Sequence, residues 1–278
     1  MTESFTKSNL RISTMVITAH WGTKINLDLL FEELKKIIIP IWYPDEGILK
    51  FEHKNMVLGT SYKDVFTNRK ITSKSFFNQS TIVVRRKINS DTSSKEGFKE
   101  VNVKLFANGG IQMTGVVSEE FAYDAVQYLL SIINNIPAKI FNEPAKIEKF
   151  STKLINTDYE LNKFINQDAL HKILINEYNL FSMLEKTIYQ GVNTKFFYNT
   201  NNENTGICRC DTEKFCKGQG TGLGKGECKR ITMSIFRTGR IIITGARTME
   251  QIEAAYKFLN NVFDKHHKQV LYEPNNLV

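Results

Sequence analysis

The hydrophobic and polar positions along the chain follow a pattern that occurs twice. One stretch runs from residue 103 to 136 and the other from 233 to 266, and the two align without a gap. Each predicts a strand that ends in Phe, a tight turn at Gly109 or Gly239, a strand that ends in Thr-Gly, and an amphipathic helix. Such a duplication predicts two similar halves, which suggests a pseudo-two-fold molecule with one continuous sheet.

The same order of elements precedes both hairpins. β-branched residues predict a strand over Arg11–His20, and Asn26 can cap a short helix after it. In the second half, Phe150–Tyr159 predicts a strand, and Asn166 can cap the helix that follows. The other predicted strands are Ile48–His53, Thr81–Ile88, Val101–Phe106, Leu180–Glu185 and Gly191–Tyr198. The buried stripe predicted for the helix after Ser118 is Phe121, Ala125, Tyr128, Leu129, Ile132 and Ile136.

This order of elements predicts the α+β class. Helices are expected on one face of an antiparallel sheet, and the other face is left open. Two prolines near residue 140 favour a division into residues 1–145 and 146–278. The second half carries an insertion, residues 199–229, that has no counterpart in the first.

Composition narrows the class of protein. Hydrophobic residues make up 41% of the 278 residues and charged residues 24%, which is typical of a globular protein. There is no apolar run of about 18 residues and no signal-peptide core near the N-terminus, so we expect an intracellular protein. The net charge of +8 favours nucleic acid as a partner over a membrane, although surplus lysines also serve solubility.

Two phenylalanines are candidates for binding on the open face. Side chains alternate along a strand, so Phe106 and Phe236 point outward if Leu105 and Ile235 face the helices. An exposed Phe at the same place in both halves indicates a binding role. The opposite register would bury both as core aromatics, because a slip of one residue reverses every side chain.

These stretches carry a family resemblance. The sequences LFANGGIQMTG and IFRTGRIIITGA resemble the LIF-x-SGK-x-V-x-TGA signature of the TATA-box-binding protein (TBP) family. RISTMVITAHWGTKINLDLLF and LINTDYELNKFINQDAL are similar to the first strand and helix of its two repeats. The resemblance covers roughly residues 11–272, and it is greatest to the divergent versions encoded by large cytoplasmic DNA viruses.

The resemblance implies a fold and a mechanism. The fold would be a saddle of two pseudo-symmetric TBP-like lobes, a curved antiparallel sheet with helices on the convex face. The concave face would lie in the minor groove of A·T-rich promoter DNA and bend it by inserting aromatic wedges between base pairs. Phe106 and Phe236 match one wedge of each lobe. The second wedges match Phe77 and Tyr189, and Tyr189 departs from the family's Phe.

Other positions are carried over from the same resemblance. Thr114 and Thr244 match groove-contacting threonines, and Ile242 matches an apolar groove contact whose first-half equivalent is Gln112. The family's central asparagines correspond to Thr14 and, depending on one gap, to Leu154 or Asn156. The basic groups that would face phosphates, with solvated surface charge as the alternative, are Arg85, Arg237 and Arg240.

The cysteines are confined to the insertion. Cys208, Cys210, Cys216 and Cys228 fall within one window without a nearby His, as in a Cys₄ structural Zn²⁺ site. The spacing is not that of paired C-x-x-C motifs, so thiols without a metal are the alternative.

The sequence thus favours a non-enzymatic, DNA-bending transcription initiation factor. Its expected partners are double-stranded A·T-rich DNA, a general transcription factor of the IIB type and RNA polymerase, with a monomer on DNA. It would act in a cytoplasmic viral factory or virion if viral, and in the nucleus otherwise. The main alternative is a protein-docking adaptor of the transcription machinery that has lost strong DNA binding. An enzyme would need a cluster of catalytic carboxylates, and an RNA-binding sheet would need a run of aromatic residues; the sequence indicates neither.

Overall fold

The chain folds as two compact units. The computed structural model describes residues 5–67, 78–88, 97–187, 190–200, 203–210, 219–224 and 226–273. The first unit is Thr14–Lys153, and the second combines Met1–Ser13 with Leu154–Val278. The boundary expected near residue 145 therefore lies within the first unit, and the N-terminal residues belong to the second.

The first unit is built on an antiparallel sheet in the order β3-β2-β4-β5-β6-β1. Strand β1 enters the unit at Thr14, after three residues that belong to the second unit. The elements are β1 (Arg11–His20), α1 (Leu27–Leu34), β2 (Gly47–His53), β3 (Met56–Gly59), α2 (Tyr62–Thr67), β4 (Gln79–Ile88), β5 (Gly97–Phe106), β6 (Gly110–Val116) and α3 (Glu119–Asn134).

The second unit repeats this topology. Its elements are β7 (Glu148–Glu160, which begins in the first unit), β8 (Phe164–Ile165), α4 (Gln167–Asn176), β9 (Ser182–Glu185), β10 (Gly191–Tyr198), β11 (Lys229–Ile235), β12 (Arg240–Ala246), α5 (Met249–Val270) and β13 (Leu271–Tyr272). The sheet order is β7-β12-β11-β10-β9, and β8 pairs separately with β13. Apart from β3, both units have the same strand order. The predicted α+β class and the duplication are therefore confirmed.

Side-chain caps begin the helices where the sequence predicts them. The Asn26 side chain accepts a hydrogen bond from the backbone N–H of Leu29, and Asn166 does the same for Ala169. Asx caps satisfy donors that the first helical turn leaves open, so both short helices start at a fixed residue. Among the described helices, none has the length and apolar composition needed to cross a membrane.

Helix α3 buries a different stripe from the predicted one. Its buried residues are Ala122, Ala125, Val126, Leu129, Leu130 and Ile133. Phe121 and Ile132 are only half-buried. The prediction was wrong about the rotation of the helix because Tyr128 lies at the margin, where its ring covers the guanidinium of Arg86 at 4.2 Å. A side chain that packs on a cation need not face the core.

Candidate nucleic-acid interface

Each sheet has one face that packs on helices and one that does not. Leu105 on β5 and Ile235 on β11 are fully buried beneath the helices. The next residues, Phe106 and Phe236, point to the opposite side and are half-buried. The register that would bury both aromatic rings in the core is therefore excluded. We call the side that carries Phe106 and Phe236 the open face of each unit.

A tight glycine turn follows each phenylalanine. Gly109 and Gly239 form the turns after them, with φ of +93° and +90°, a region that favours glycine. In both turns the glycine N–H donates to the carbonyl of the phenylalanine, at 2.8 Å and 3.1 Å. Each ring also lies over a second glycine. A Cβ on Gly110 would be 3.6 Å from the Phe106 ring, and one on Gly191 would be 3.5 Å from the Phe236 ring.

The predicted groove contacts share the open face with the phenylalanines. In the first unit, Thr114 lies opposite Asn102 on β5 and Gln112 lies opposite Lys104. In the second, Thr244 and Ile242 occupy the matching positions on β12, with small polar residues of β11 opposite them. All four predicted contacts are half-buried. Both faces therefore present a threonine hydroxyl.

The two central positions differ in their hydrogen bonding. The Thr14 hydroxyl accepts a hydrogen bond from the N–H of Gly115 at 3.3 Å. The side-chain oxygen of Asn156 is buried and has no hydrogen-bond partner within the described part of the chain. An unsatisfied buried acceptor costs about 1–3 kcal/mol.

The structure corrects the prediction for Arg85. This side chain is 3% exposed, and its guanidinium donates to the backbone carbonyls of Ile41, Tyr43 and Asp45. The segment 40–46 folds over the sheet, and its carbonyls accept the hydrogen bonds that the guanidinium would otherwise donate to a phosphate. The prediction failed because this contact joins residues that are more than 40 positions apart in the sequence.

The other two predicted arginines remain at the surface. Arg240 donates to the carboxylate of Asp158 at 2.9 Å, and Arg11 donates to both oxygens of the same carboxylate. The hydrogen bond from Arg11 is the main cause that lowers the pKa of Asp158. Two arginines thus share one carboxylate, and Glu160 on β7 lies opposite Arg240. The guanidinium of Arg237 lies 5.6 Å from the ring of Phe164.

Two cations of the second open face were missed by the sequence reasoning. Lys195 on β10 lies opposite Thr232 on β11, and its ammonium donates to the Thr232 hydroxyl at 2.9 Å. Burial lowers the pKa of Lys195, and nearby Arg230 lowers it further. Counting alternate residues back from Phe236 along β11 would have placed Arg230 on this face.

Part of the first open face is covered by an element that the sequence pattern did not predict. Lys50, a nearly buried cation of this face, pairs with Asp64 of α2 at 2.7 Å. The Glu100 carboxylate, also on this face, accepts a hydrogen bond from the N–H at the start of α2. The cover formed by α2 and the segment 40–46 exposes aromatic side chains, with Trp42 80% and Phe66 83% exposed. A serine three residues before Asp64 was the available signal for this short helix.

Three predicted metal ligands lie close together at the base of the insertion. The sulfur atoms of Cys208, Cys210 and Cys228 all lie within 4.8 Å of one another. This cluster can hold a metal ion. The fourth predicted ligand, Cys216, lies outside the described residues, as do the predicted wedges Phe77 and Tyr189.

This chain is similar to a family model, to a viral protein and to a solved structure. The family model "Transcription factor TFIID (or TATA-binding protein, TBP)" matches residues 223–275, which contain the second hairpin and α5. A "TATA-box-binding protein-like" protein of Acanthamoeba polyphaga mimivirus is 27% identical over 282 aligned positions, covering 96% of this chain and 68% of the relative. A solved structure, Methanococcus jannaschii TBP, has 15% identity and a TM-score of 0.45, over 94% of this chain and 99% of that one. The similarity of this chain to TBP rests on the family model and on the viral relative.

Proposed function

We propose that this chain is a divergent TBP-like protein that binds the minor groove of A·T-rich promoter DNA and bends it with inserted aromatic side chains. The relationship gives the general role of a DNA-binding transcription factor, and the groove, the base preference and the bend are our proposal. One observation carries it. Phe106 and Phe236 occupy equivalent positions on the open faces, and a tight glycine turn follows each of them.

Wedge insertion fits the chemistry of these rings. Unstacking a base step costs a few kcal/mol, and wider protein contact with the bent duplex offsets that cost. A ring that is already half-buried on its sheet loses less conformational entropy than a fully exposed one when it enters the stack, so more of the contact energy remains for deforming DNA. Flexible T·A steps are the easiest to unstack, which favours A·T-rich sites.

The groove contacts support the same base preference. At A·T pairs the minor groove presents only acceptors, and the hydroxyls of Thr114 and Thr244 can donate to them. Ile242 would contact the groove floor where a guanine amino group would otherwise project. Gln112 can accept a hydrogen bond from that amino group, so we expect the first unit to tolerate a G·C pair better than the second.

The cover of the first unit favours a second candidate function. Lys50 and Arg85 are both consumed by internal contacts, while Trp42 and Phe66 are largely exposed. An exposed aromatic surface whose sheet cations Lys50 and Arg85 are already paired suits a protein partner better than a polyanion. In this alternative the chain is a docking adaptor of the transcription machinery that binds DNA weakly.

The remaining parts of the proposal follow from the role. A factor of this kind has no catalytic step, and its partners on DNA would be a IIB-type general transcription factor and RNA polymerase. We expect one chain per DNA site. If the chain is viral like its relative, its place of action would be a cytoplasmic factory or the virion.

The test measures DNA bending by fluorescence resonance energy transfer between the ends of A·T-rich duplexes. The wild type is expected to shorten the end-to-end distance, and the Phe106→Ala/Phe236→Ala protein is expected to lose most of that change. Phe181→Ala is the matched control, since Phe181 is 58% exposed and precedes β9. Equal bending by the wild type and the double variant would refute the wedge mechanism. No bending by the wild type would favour the docking adaptor.

A further inference from the structure

The three described cysteines have the geometry of a tetrahedral thiolate site. Zinc lies about 2.3 Å from each thiolate sulfur, which separates the sulfurs of one tetrahedron by about 3.8 Å. The sulfurs of Cys208 and Cys228 are 3.3 Å apart, and all three pairs, including those to Cys210, fall within 4.8 Å. An ion placed among them needs only small side-chain adjustments.

The surroundings suit thiolates. The backbone N–H of Cys228 donates to the sulfur of Cys210 at 3.2 Å. Such a bond stabilises negative charge on sulfur and orients a metal ligand. Among the described residues, this metal-ligand cluster contains neither a carboxylate nor a histidine. An all-sulfur set favours zinc over magnesium or calcium, which prefer oxygen ligands.

The cysteines lie on both sides of the insertion, next to the strands that it joins. On one side, Gly206 lies two residues before Cys208, and its carbonyl accepts a hydrogen bond from the N–H of Phe197 on β10 at 2.9 Å. On the other side, Cys228 directly precedes β11. An ion that binds both sides would therefore tie the end of β10 to the start of β11.

The second side is also held in place without a metal. The Glu227 carboxylate accepts hydrogen bonds from the N–H groups of Gly224, Leu223 and Thr221 and from the Thr221 hydroxyl. The turn before Cys228 is thus pre-organised, which reduces the entropy lost when a metal binds.

We propose that Cys208, Cys210 and Cys228 bind one zinc ion that closes the base of the insertion and stabilises the β10–β11 end of the second unit. Cys216, the fourth ligand in the sequence prediction, lies outside the described residues, so the proposal rests on the other three cysteines. This role is structural and is independent of DNA binding. The matching strand pair β4–β5 of the first unit serves as an internal control, because both strands lie outside the unit that holds the cluster.

The first measurement is the metal content of the purified full-length chain. About one zinc per chain is expected for the wild type and for Arg209→Ala, which alters the residue between two ligands but no ligand. Cys208→Ser and Cys228→Ser are expected to lose it. Cobalt substitution of the wild type should give a thiolate-to-metal charge-transfer band, and this keeps the test decisive if a variant fails to fold. A wild type without bound metal, or serine variants with unchanged metal content, would overturn the proposal.

The second measurement is hydrogen exchange with and without a chelator. If free zinc is held at about 100 times its Kd before the chelator is added, removal of the zinc should make amide exchange through local opening about a hundredfold faster. We expect this acceleration at the β10–β11 amides and not at the β4–β5 amides. Equal acceleration in both strand pairs, or in neither, contradicts the local structural role.

Discussion

The substitution Gly109→Ala tests whether the turn that positions Phe106 is fixed by its neighbours. Gly109 has φ of +93°, and a methyl group there would overlap the carbonyl oxygen of Thr23. The turn cannot move away without cost. The N–H of Trp21 donates to the Gly109 carbonyl at 2.8 Å, and the N–H of Ile25 donates to the Ala107 carbonyl at 3.1 Å.

The expected loss of stability has two parts. A non-glycine residue in the left-handed region costs about 1–2 kcal/mol. Relieving the overlap would also stretch the two neighbouring hydrogen bonds, each worth about 0.5–1.5 kcal/mol. We therefore expect the free energy of unfolding of the first unit to fall by about 3 kcal/mol. Gly22→Ala is the matched control. Gly22 has φ of +74°, but its nearest contact is the flexible carboxylate of Glu148, so only the first part, about 1–2 kcal/mol, applies.

Urea unfolding followed by tryptophan emission measures this difference. The chain has two tryptophans, and both belong to the first unit. Trp21 is fully buried and Trp42 is 80% exposed, so the change in emission on unfolding comes from Trp21. If Gly109→Ala loses no more stability than Gly22→Ala, the segment around Thr23 yields to the methyl group. The fixed placement of Phe106 would then be refuted.

Two further predictions concern the charged groups. Arg85→Lys should lower the free energy of unfolding of the first unit by about 2 kcal/mol, because a compact ammonium lacks the planar fork of donors that reaches the three separated carbonyls. DNA affinity should stay unchanged, and a loss of affinity at unchanged stability would contradict the internal role of Arg85. The pKa of Asp158 is lowered in the folded state, first by Arg11 and then by Arg240. The ionised carboxylate therefore contributes to folding stability above its unfolded pKa of about 3.9, and this contribution is lost as the pH falls through the folded pKa. Asp158→Asn should therefore reduce stability at neutral pH and flatten the acid limb of urea midpoints measured across pH, and an unchanged acid limb would argue against this linkage.

Local signals predicted most of the elements. Strand β1 has the predicted bounds, Arg11–His20, because β-branched residues recur along it and a turn at Gly22 follows shortly after. The caps at Asn26 and Asn166 were predictable because a cap needs only an N–H three residues further along the chain. The open-face placement of Phe106 and Phe236 followed from alternation once their neighbours were assigned to the core.

Contacts between distant segments decided what the sequence could not. Arg85 has the same local pattern as an exposed strand arginine, and only the fold of segment 40–46 buries it. Helix α2 lacks a buried apolar stripe, so periodicity gave no sign of it; ion pairing with Lys50 holds it on the sheet. The α3 stripe was rotated in the prediction because the cation–π contact with Arg86 is invisible in the helix itself.

The sequence by itself determined the duplication, the α+β class, the glycine turns and the clustering of cysteines in one insertion, because each is written in residue type and spacing along a short stretch. Only the tertiary structure decided which cations are available to a ligand, which part of the first open face is covered, and that three thiols converge. Charge and burial depend on neighbours brought together by folding, and a one-dimensional pattern contains no distances between them.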